Sequence, residues 1–184
     1  MFILKVISGF LKGRNIEGFM IEGTRPTMDR VKESLFASIQ NYIDNAVVLD
    51  LFSGSGNLGF EAISNGAKIV YFNDVNYESI KIINRNIDKF NIKEKSVVLN
   101  MDYKRCLKYL KEKNIKYDIV FLDPPYNKKV LNDVIDFLIN NYMLNKEAIV
   151  VCEINDNYLK ENDFLEIIKS KKYGDKFITI FKVK

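Results

Sequence analysis

Tyr117-Asp-Ile-Val-Phe-Leu-Asp-Pro-Pro-Tyr126 decides how the rest of the chain is read. Ile119 to Leu122 is an unbroken apolar run, the pattern of a strand buried on both faces. Asp123-Pro-Pro-Tyr126 ends it, because consecutive prolines give no N–H to a ladder and fix φ. A stiff turn therefore stands at the carboxyl end of a buried strand, the edge on which open α/β sheets bind ligands. A carboxylate, carbonyls on residues lacking N–H and an aromatic face meet there. Such a set can hold a planar group that carries an exocyclic amine. The plainer alternative is a proline-stopped strand followed by a surface tyrosine.

Outward from this strand, helices and strands alternate. Val47 to Asp50, Ile69 to Asn73 and Ser96 to Asn100 read as strands before it, and Ala148 to Ile154 as one after it. The intervening helices are predicted over 57–65, 77–90, 103–113 and 130–141, the second with Ile80, Ile83 and Ile87 inward. Such alternation means a mostly parallel sheet covered on both faces. Leu165 to Ser170 and Phe177 to Val183 surround Tyr173-Gly-Asp175, a hairpin signal that adds two antiparallel strands and brings the sheet to seven. At the other end, Ile3 to Ser8 and Arg14 to Ile16 flank Gly9-Phe-Leu-Lys-Gly13 as a short hairpin. Thr27 is a candidate N-cap for a helix whose stripe is Val31, Leu35, Ile39 and Tyr42, with Phe36 and Ile43 beside it. The expected division is a front piece over 1–44, too small to be an independent domain, and a main α/β domain over 45–184.

The composition narrows the chemistry. With 184 residues, 47% hydrophobic and 28% charged, the chain suits one globular domain with a full core. No apolar run approaches the ~20 residues that cross a bilayer, and the start lacks the basic residues and cleavage site of a signal peptide. A cytoplasmic protein is expected. There is no histidine, which excludes histidine general acid/base catalysis, Ser-His-Asp chemistry and histidine-ligated zinc. Cys106 and Cys152 lack metal-type spacing and read as core thiols, so no metal is expected. The net charge of +4 is mild, but Lys104 to Lys116 and Lys169 to Lys184 each concentrate six basic residues against one acid. Either run alone reads as a solvated face.

Asp50-Leu-Phe-Ser-Gly-Ser-Gly-Asn-Leu-Gly59 follows the first of the parallel strands and opens a helix. Gly54, Gly56 and Gly59 fit the G-x-G-x-x-G pattern, and Asp74 ends the next strand where an acid can take both hydroxyls of a ribose. Dinucleotide and S-adenosylmethionine sites share that much. Asp50 separates them: an acid just before the loop repels a pyrophosphate and welcomes the ammonium and sulfonium of S-adenosylmethionine. Asp123-Pro-Pro-Tyr126, on the same sheet edge, has no use in a dehydrogenase. Asp102, with Tyr103 beside it, completes the pocket as an acceptor for the adenine amine. Asp74 and Asp102 taken singly could equally be helix N-caps.

With those residues in place, the chain resembles the bacterial 16S rRNA guanine-N2 methyltransferases, the D-type methyltransferases of the small ribosomal subunit, nearly end to end. Lys5-Val-Ile-Ser-Gly9 with Lys12-Gly-Arg14 resembles the family's opening hairpin. Arg25-Pro-Thr-Met-Asp-Arg-Val-Lys-Glu-Ser-Leu-Phe36 resembles its signature helix entry, and Asp50 to Ala62 its cofactor loop. Asp123-Pro-Pro-Tyr126 resembles its catalytic turn, a motif shared with DNA adenine and protein glutamine methyltransferases. Small departures are Ser53 for alanine, Asn57 for a small residue and Asp74 for glutamate. The resemblance implies a Rossmann-like class I methyltransferase fold and S-adenosyl-L-methionine as cofactor, held by Asp50, Phe52, Gly54, Gly56, Asp74, Asp102 and Tyr103. It implies Asp123, Pro124, Pro125 and Tyr126 as the catalytic group, acting on a guanine flipped from RNA. Lys12, Arg14, Arg25, Thr27 and Arg30 become candidate RNA contacts beside the pocket, although Arg25 can instead pair with Asp29. The expected partner is 16S rRNA in an assembling small ribosomal particle, met by a monomer. Two rivals stay open: a DNA adenine-N6 methyltransferase, and a noncatalytic nucleotide-binding module or nicotinamide oxidoreductase.

Overall fold

Tyr117–Leu122 is a strand in the computed structural model, which describes residues 4–18, 25–124, 128–155 and 159–184. Numbered in chain order, the hairpin strands are β1 (Leu4–Lys5) and β2 (Asn15–Ile16). They are followed by β3 (Val47–Asp50), β4 (Ile69–Asn73), β5 (Ser96–Leu99) and β6 (Tyr117–Leu122). The last three are β7 (Leu144–Ile154), β8 (Leu165–Tyr173) and β9 (Lys176–Val183). The helices are α1 (Arg25–Ile39), α2 (Asn57–Ser64), α3 (Tyr77–Phe90), α4 (Tyr103–Glu112) and α5 (Lys128–Asn140).

The sheet order is β5-β4-β3-β6-β7-β9-β8, with β9 antiparallel to both of its neighbours. Strand order reverses between β3 and β6, so the crevice of an open α/β sheet lies at the carboxyl ends of these two strands. Their register pairs Asp50 with Phe121, which brings the loops after both strands to one place.

Alternation along the strands divides the core into two layers. Val48, Val70, Phe72, Ile119, Phe121, Ile149 and Val151 face α1, α2 and α3, while Leu49, Val120, Leu122, Val150 and Cys152 face α4 and α5. Both cysteines are buried free thiols. The hairpin, α1 and the turn after it contribute Val6, Leu11, Ile16, Leu35, Phe36, Ile39 and Ile43 to the first layer, so the front of the chain shares the main core. Among the described residues, no helix is long and apolar enough to cross a membrane.

Several expectations about element ends need correction. The helix predicted to be capped at Thr27 starts at Arg25, with Pro26 in its first turn, where a missing N–H costs nothing. Leu144 extends β7 before the predicted Ala148, pairing with Tyr117. The polar Asn145-Lys146-Glu147 hid that extension, and Glu147 has a φ of 62° within it. Finally, α5 begins at Lys128 rather than Val130.

Candidate active site

The loop from Asp50 to Gly56 is stitched to the end of β4. Ser53 N donates to Asn73 O at 2.9 Å, and Asn73 N donates to Ser53 Oγ at 3.1 Å. Gly54 N donates to Asp74 Oδ2 at 2.8 Å, while Asp74 Oδ1 accepts from Asn76 N at 2.8 Å. Asp74 thus orders the loop and keeps its remaining lone pairs for a ligand. Ser53, a departure from the alanine of the family pattern, gains a use as the hydroxyl that links β3 to β4. Gly59 is required by packing: a Cβ there would stand 2.2 Å from the Phe72 ring. Gly54 has a φ of +53° and open space where its Cβ would be.

A cleft of about 850 Å³ opens over these residues. It is lined by the predicted Phe52, Gly54, Asp74, Asp102, Tyr103, Asp123 and Pro124, gathered from the ends of β3, β4, β5 and β6. Asp102 serves as N-cap of α4, its Oδ1 accepting from Lys104 N and Arg105 N, and it borders the cleft from that fixed position. The Phe52 and Tyr103 rings lie 5.9 Å apart on one wall. Gly56 is the N-cap residue of α2 and stands behind the loop rather than in the cleft wall.

The lining suits a cation. Among the described residues, Asp74, Asp102, Asp123 and Glu153 face the cleft against a single lysine, Lys176. Asn73 contributes a buried Oδ1 that has no partner among the described residues, while its Nδ2 donates to Leu51 O and Met101 O. Acids, a ribose-type acceptor at Asp74 and apolar walls fit the sulfonium, ribose and adenine of S-adenosylmethionine better than a pyrophosphate.

Asp50 lies apart from that wall. It is buried, its Oδ2 accepts from Gly59 N at 3.1 Å, and it borders a second cavity of about 900 Å³. Burial, aided by Asp123 and Asp74, pushes its pKa up to about 7 against the pull of the Gly59 N–H. The second cavity runs between α1 and the β8–β9 turn, past Leu4, Lys32, Asn57 and Tyr173. The two cavities share Phe52, Gly54, Asp123, Glu153, Asn155 and Lys176. Asp123 therefore stands at their junction. Its carboxyl is pushed up to about 7 by burial and by the Glu153 carboxylate, with Lys176 opposing.

Pro125 and Tyr126 lie outside the described residues, as do the side chains of Arg25 and Thr27. Arg30 is exposed on α1. The expectation that Lys12 and Arg14 stand beside the pocket is corrected. Phe10 N and Leu11 N bond to the oxygens of Ser64, at the far end of α2. Arg14 donates to Lys89 O and lies over the Phe90 ring, at the far end of α3. Those helix ends are one helix length, about 12–20 Å, from the cleft. A turn between two short strands gives no sequence signal of which sheet edge it will reach.

Sequence reasoning also missed Glu153, Asn155, Lys176 and Lys32. Glu153 is the one acid near the end of an otherwise apolar run, one residue before β7 closes at Ile154, and that signal could have found it.

Residues 4–182 match the family model described as conserved hypothetical protein 95. The ribosomal RNA small subunit methyltransferase D of Haemophilus influenzae is 34% identical over 175 residues, covering 93% of this chain and 89% of the relative. The protein of the same name from Buchnera aphidicola is 35% identical over 149 residues, covering 80% and 76%. A solved structure from Escherichia coli superposes with a TM-score of 0.85 at 27% identity, covering 99% of this chain and 98% of the other.

Proposed function

The chain belongs to the conserved hypothetical protein 95 family, that of the small-subunit ribosomal RNA methyltransferases D, and on that premise we propose that it methylates N2 of a guanine in 16S rRNA. The observation that carries the proposal is the place of Asp123 between two cavities. One cavity suits S-adenosylmethionine, and the other is open for a base. When bound, the cofactor supplies an electrophilic methyl group on a sulfonium.

An exocyclic amine is a poor nucleophile because its lone pair is delocalised into the ring. The Asp123 carboxylate and the Pro124 carbonyl accept its two N–H bonds, which lets the nitrogen pyramidalise and aim its lone pair across the junction. Tyr126 stacks on the base. Once alkylated, the nitrogen gives its proton to Asp123 or to solvent. Positioning and electrostatics carry the reaction, and no histidine is needed.

The cofactor is held by Asp74 and Asp102 from two strand ends, by Phe52, Gly54 and Tyr103 between them, and by the field of Asp50. Arg25, Thr27 and Arg30 lie on the helix that roofs the base cavity and are the proposed phosphate contacts there. A front piece of one hairpin and one helix is too small to read a long sequence, so a monomer meeting a pre-assembled particle in the cytoplasm, with its loop already held open, is the favoured encounter. The test is labelled methyl transfer to small-subunit particles from a strain lacking the protein, followed by nucleoside analysis. N2-methylguanosine is expected. Label recovered as N6-methyladenine in duplex DNA, with none in rRNA, would overturn the proposal.

A further inference from the structure

Asp123 has a neighbour that the sequence motif does not contain. Parallel strands β6 and β7 pair Leu122 with Cys152, so Asp123, the first residue past β6, lies beside Glu153, the last residue but one of β7. On the following strand, Phe177 pairs with Ile154, which brings Lys176 to the same edge. Lys176 Nζ forms an ion pair with Glu153 Oε1 and lies 3.9 Å from Asp123 Oδ1. All three side chains are partly open, and all three border both cavities. The β8–β9 turn, Gly174-Asp175, holds Lys176 in this position.

We propose that Glu153 is a specificity-determining residue that reads the ring N–H of the target base, with Lys176 orienting it. The inference rests on the reading of the protein as an amino-methyltransferase and deepens it. Guanine presents an amine donor, a ring N1–H donor and the O6 acceptor along one edge. Adenine and cytosine present an amine donor next to a ring nitrogen that accepts. Two carboxylates side by side are therefore both satisfied by guanine alone. Adenine or cytosine would set a lone pair against the Glu153 carboxylate, an acceptor facing an acceptor where guanine offers a donor. Lys176 brings positive charge to the edge where guanine carries O6. Sites built to hydrogen-bond a substrate group discriminate far better than apolar pockets do.

The test uses the full-length protein, small-subunit particles from a strain lacking it, and labelled S-adenosylmethionine. Glu153→Gln should lower kcat/KM on the particles by roughly 30-fold or more, with the cofactor Kd and the melting temperature nearly unchanged. A role confined to holding β7 and β9 together would not alter base preference, so preference is read separately. With enzyme saturated by S-adenosylhomocysteine, free guanosine should compete with the particles about tenfold better than adenosine. In Glu153→Gln, whose amide can donate to adenine N1, that preference should vanish. Lys176→Met should weaken it by roughly fivefold, and it decides the matter if Glu153→Gln does not fold. Unchanged kcat/KM and unchanged preference in a wild-type background that makes N2-methylguanosine would overturn this inference alone. Absence of N2-methylguanosine from the wild-type reaction would overturn the functional reading beneath it.

Discussion

Lys32 Nζ lies 3.0 Å from Glu61 Oε2, and the two side chains are 3% and 0% exposed. The same carboxylate accepts from Ile7 N, Ser8 N and Ser8 Oγ, while the ammonium donates to Lys5 O and Asn57 Oδ1. Hairpin, α1 and α2 are thus joined through one sealed ion pair. Burial pulls the Lys32 pKa down, and Glu61 opposes it. Glu61→Gln leaves a buried ammonium without its counter-charge and is expected to cost on the order of 3 kcal/mol in denaturant unfolding. Lys32→Met combined with Glu61→Leu should cost clearly less than the sum of the single changes. Strict additivity would show that the pair has no energetic coupling.

Asp50 is expected to oppose folding at neutral pH. Its pKa is raised to about 7 by burial. A group with a raised folded pKa contributes stability below its unfolded pKa and loses it as pH rises through the folded value. Asn at this position cannot ionise and can still accept from Gly59 N. Asp50→Asn should therefore be more stable than the wild type at pH 8, by about 2 kcal/mol, and the difference should close near pH 4. Melting temperatures across that range check it. A difference that grows as pH falls would reverse the assignment.

Asp74→Ala should weaken S-adenosylmethionine binding by roughly 1.5–3 kcal/mol, since charge-assisted bonds to the ribose are lost. It also removes the acceptor of Gly54 N, so the loop loosens with it. Asp74→Asn keeps that acceptor and should lose less. Calorimetry with the two variants separates direct contact from loop order, and an unchanged Kd for Asp74→Ala would remove the ribose from this place.

The strands and the cleft were legible because their signals are local. Apolar runs ended by Asp50 and Asp123 announce buried strands and a ligand edge; β3 and β4 begin and end as predicted, and β6 ends at Leu122 as predicted. Asp102 combines two readings, N-cap and cleft wall, that the sequence leaves as alternatives. What stayed hidden depends on register or on tertiary placement. Glu153 becomes a neighbour of Asp123 only through the β6–β7 pairing, and Lys176 only through an antiparallel return. Lys12 and Arg14 carry the right charge for phosphate, but the hairpin docks on the distal ends of α2 and α3. Lys32 reads in the sequence as one more helix-surface lysine, and only the fold sets Glu61 beneath it.

Asp123 couples activity to pH. Its carboxyl is held at about 7 by burial first and the Glu153 charge second, while Lys176 draws it down. The amine hydrogen bond needs the ionised acceptor, so kcat/KM should rise about tenfold per pH unit below 7 and level above it. Once a sulfonium is bound next to the carboxylate, the ionised form is favoured, and the midpoint of kcat should fall below that of kcat/KM. Stability runs the other way, because a raised folded pKa means that ionisation near pH 7 opposes folding. Asp123→Asn should lower turnover by on the order of 3 kcal/mol or more at the transition state and leave cofactor affinity within a few-fold. Its residual activity should also lose the rise through pH 7. A variant that keeps half its turnover, or keeps the same pH limb, would place the acceptor elsewhere.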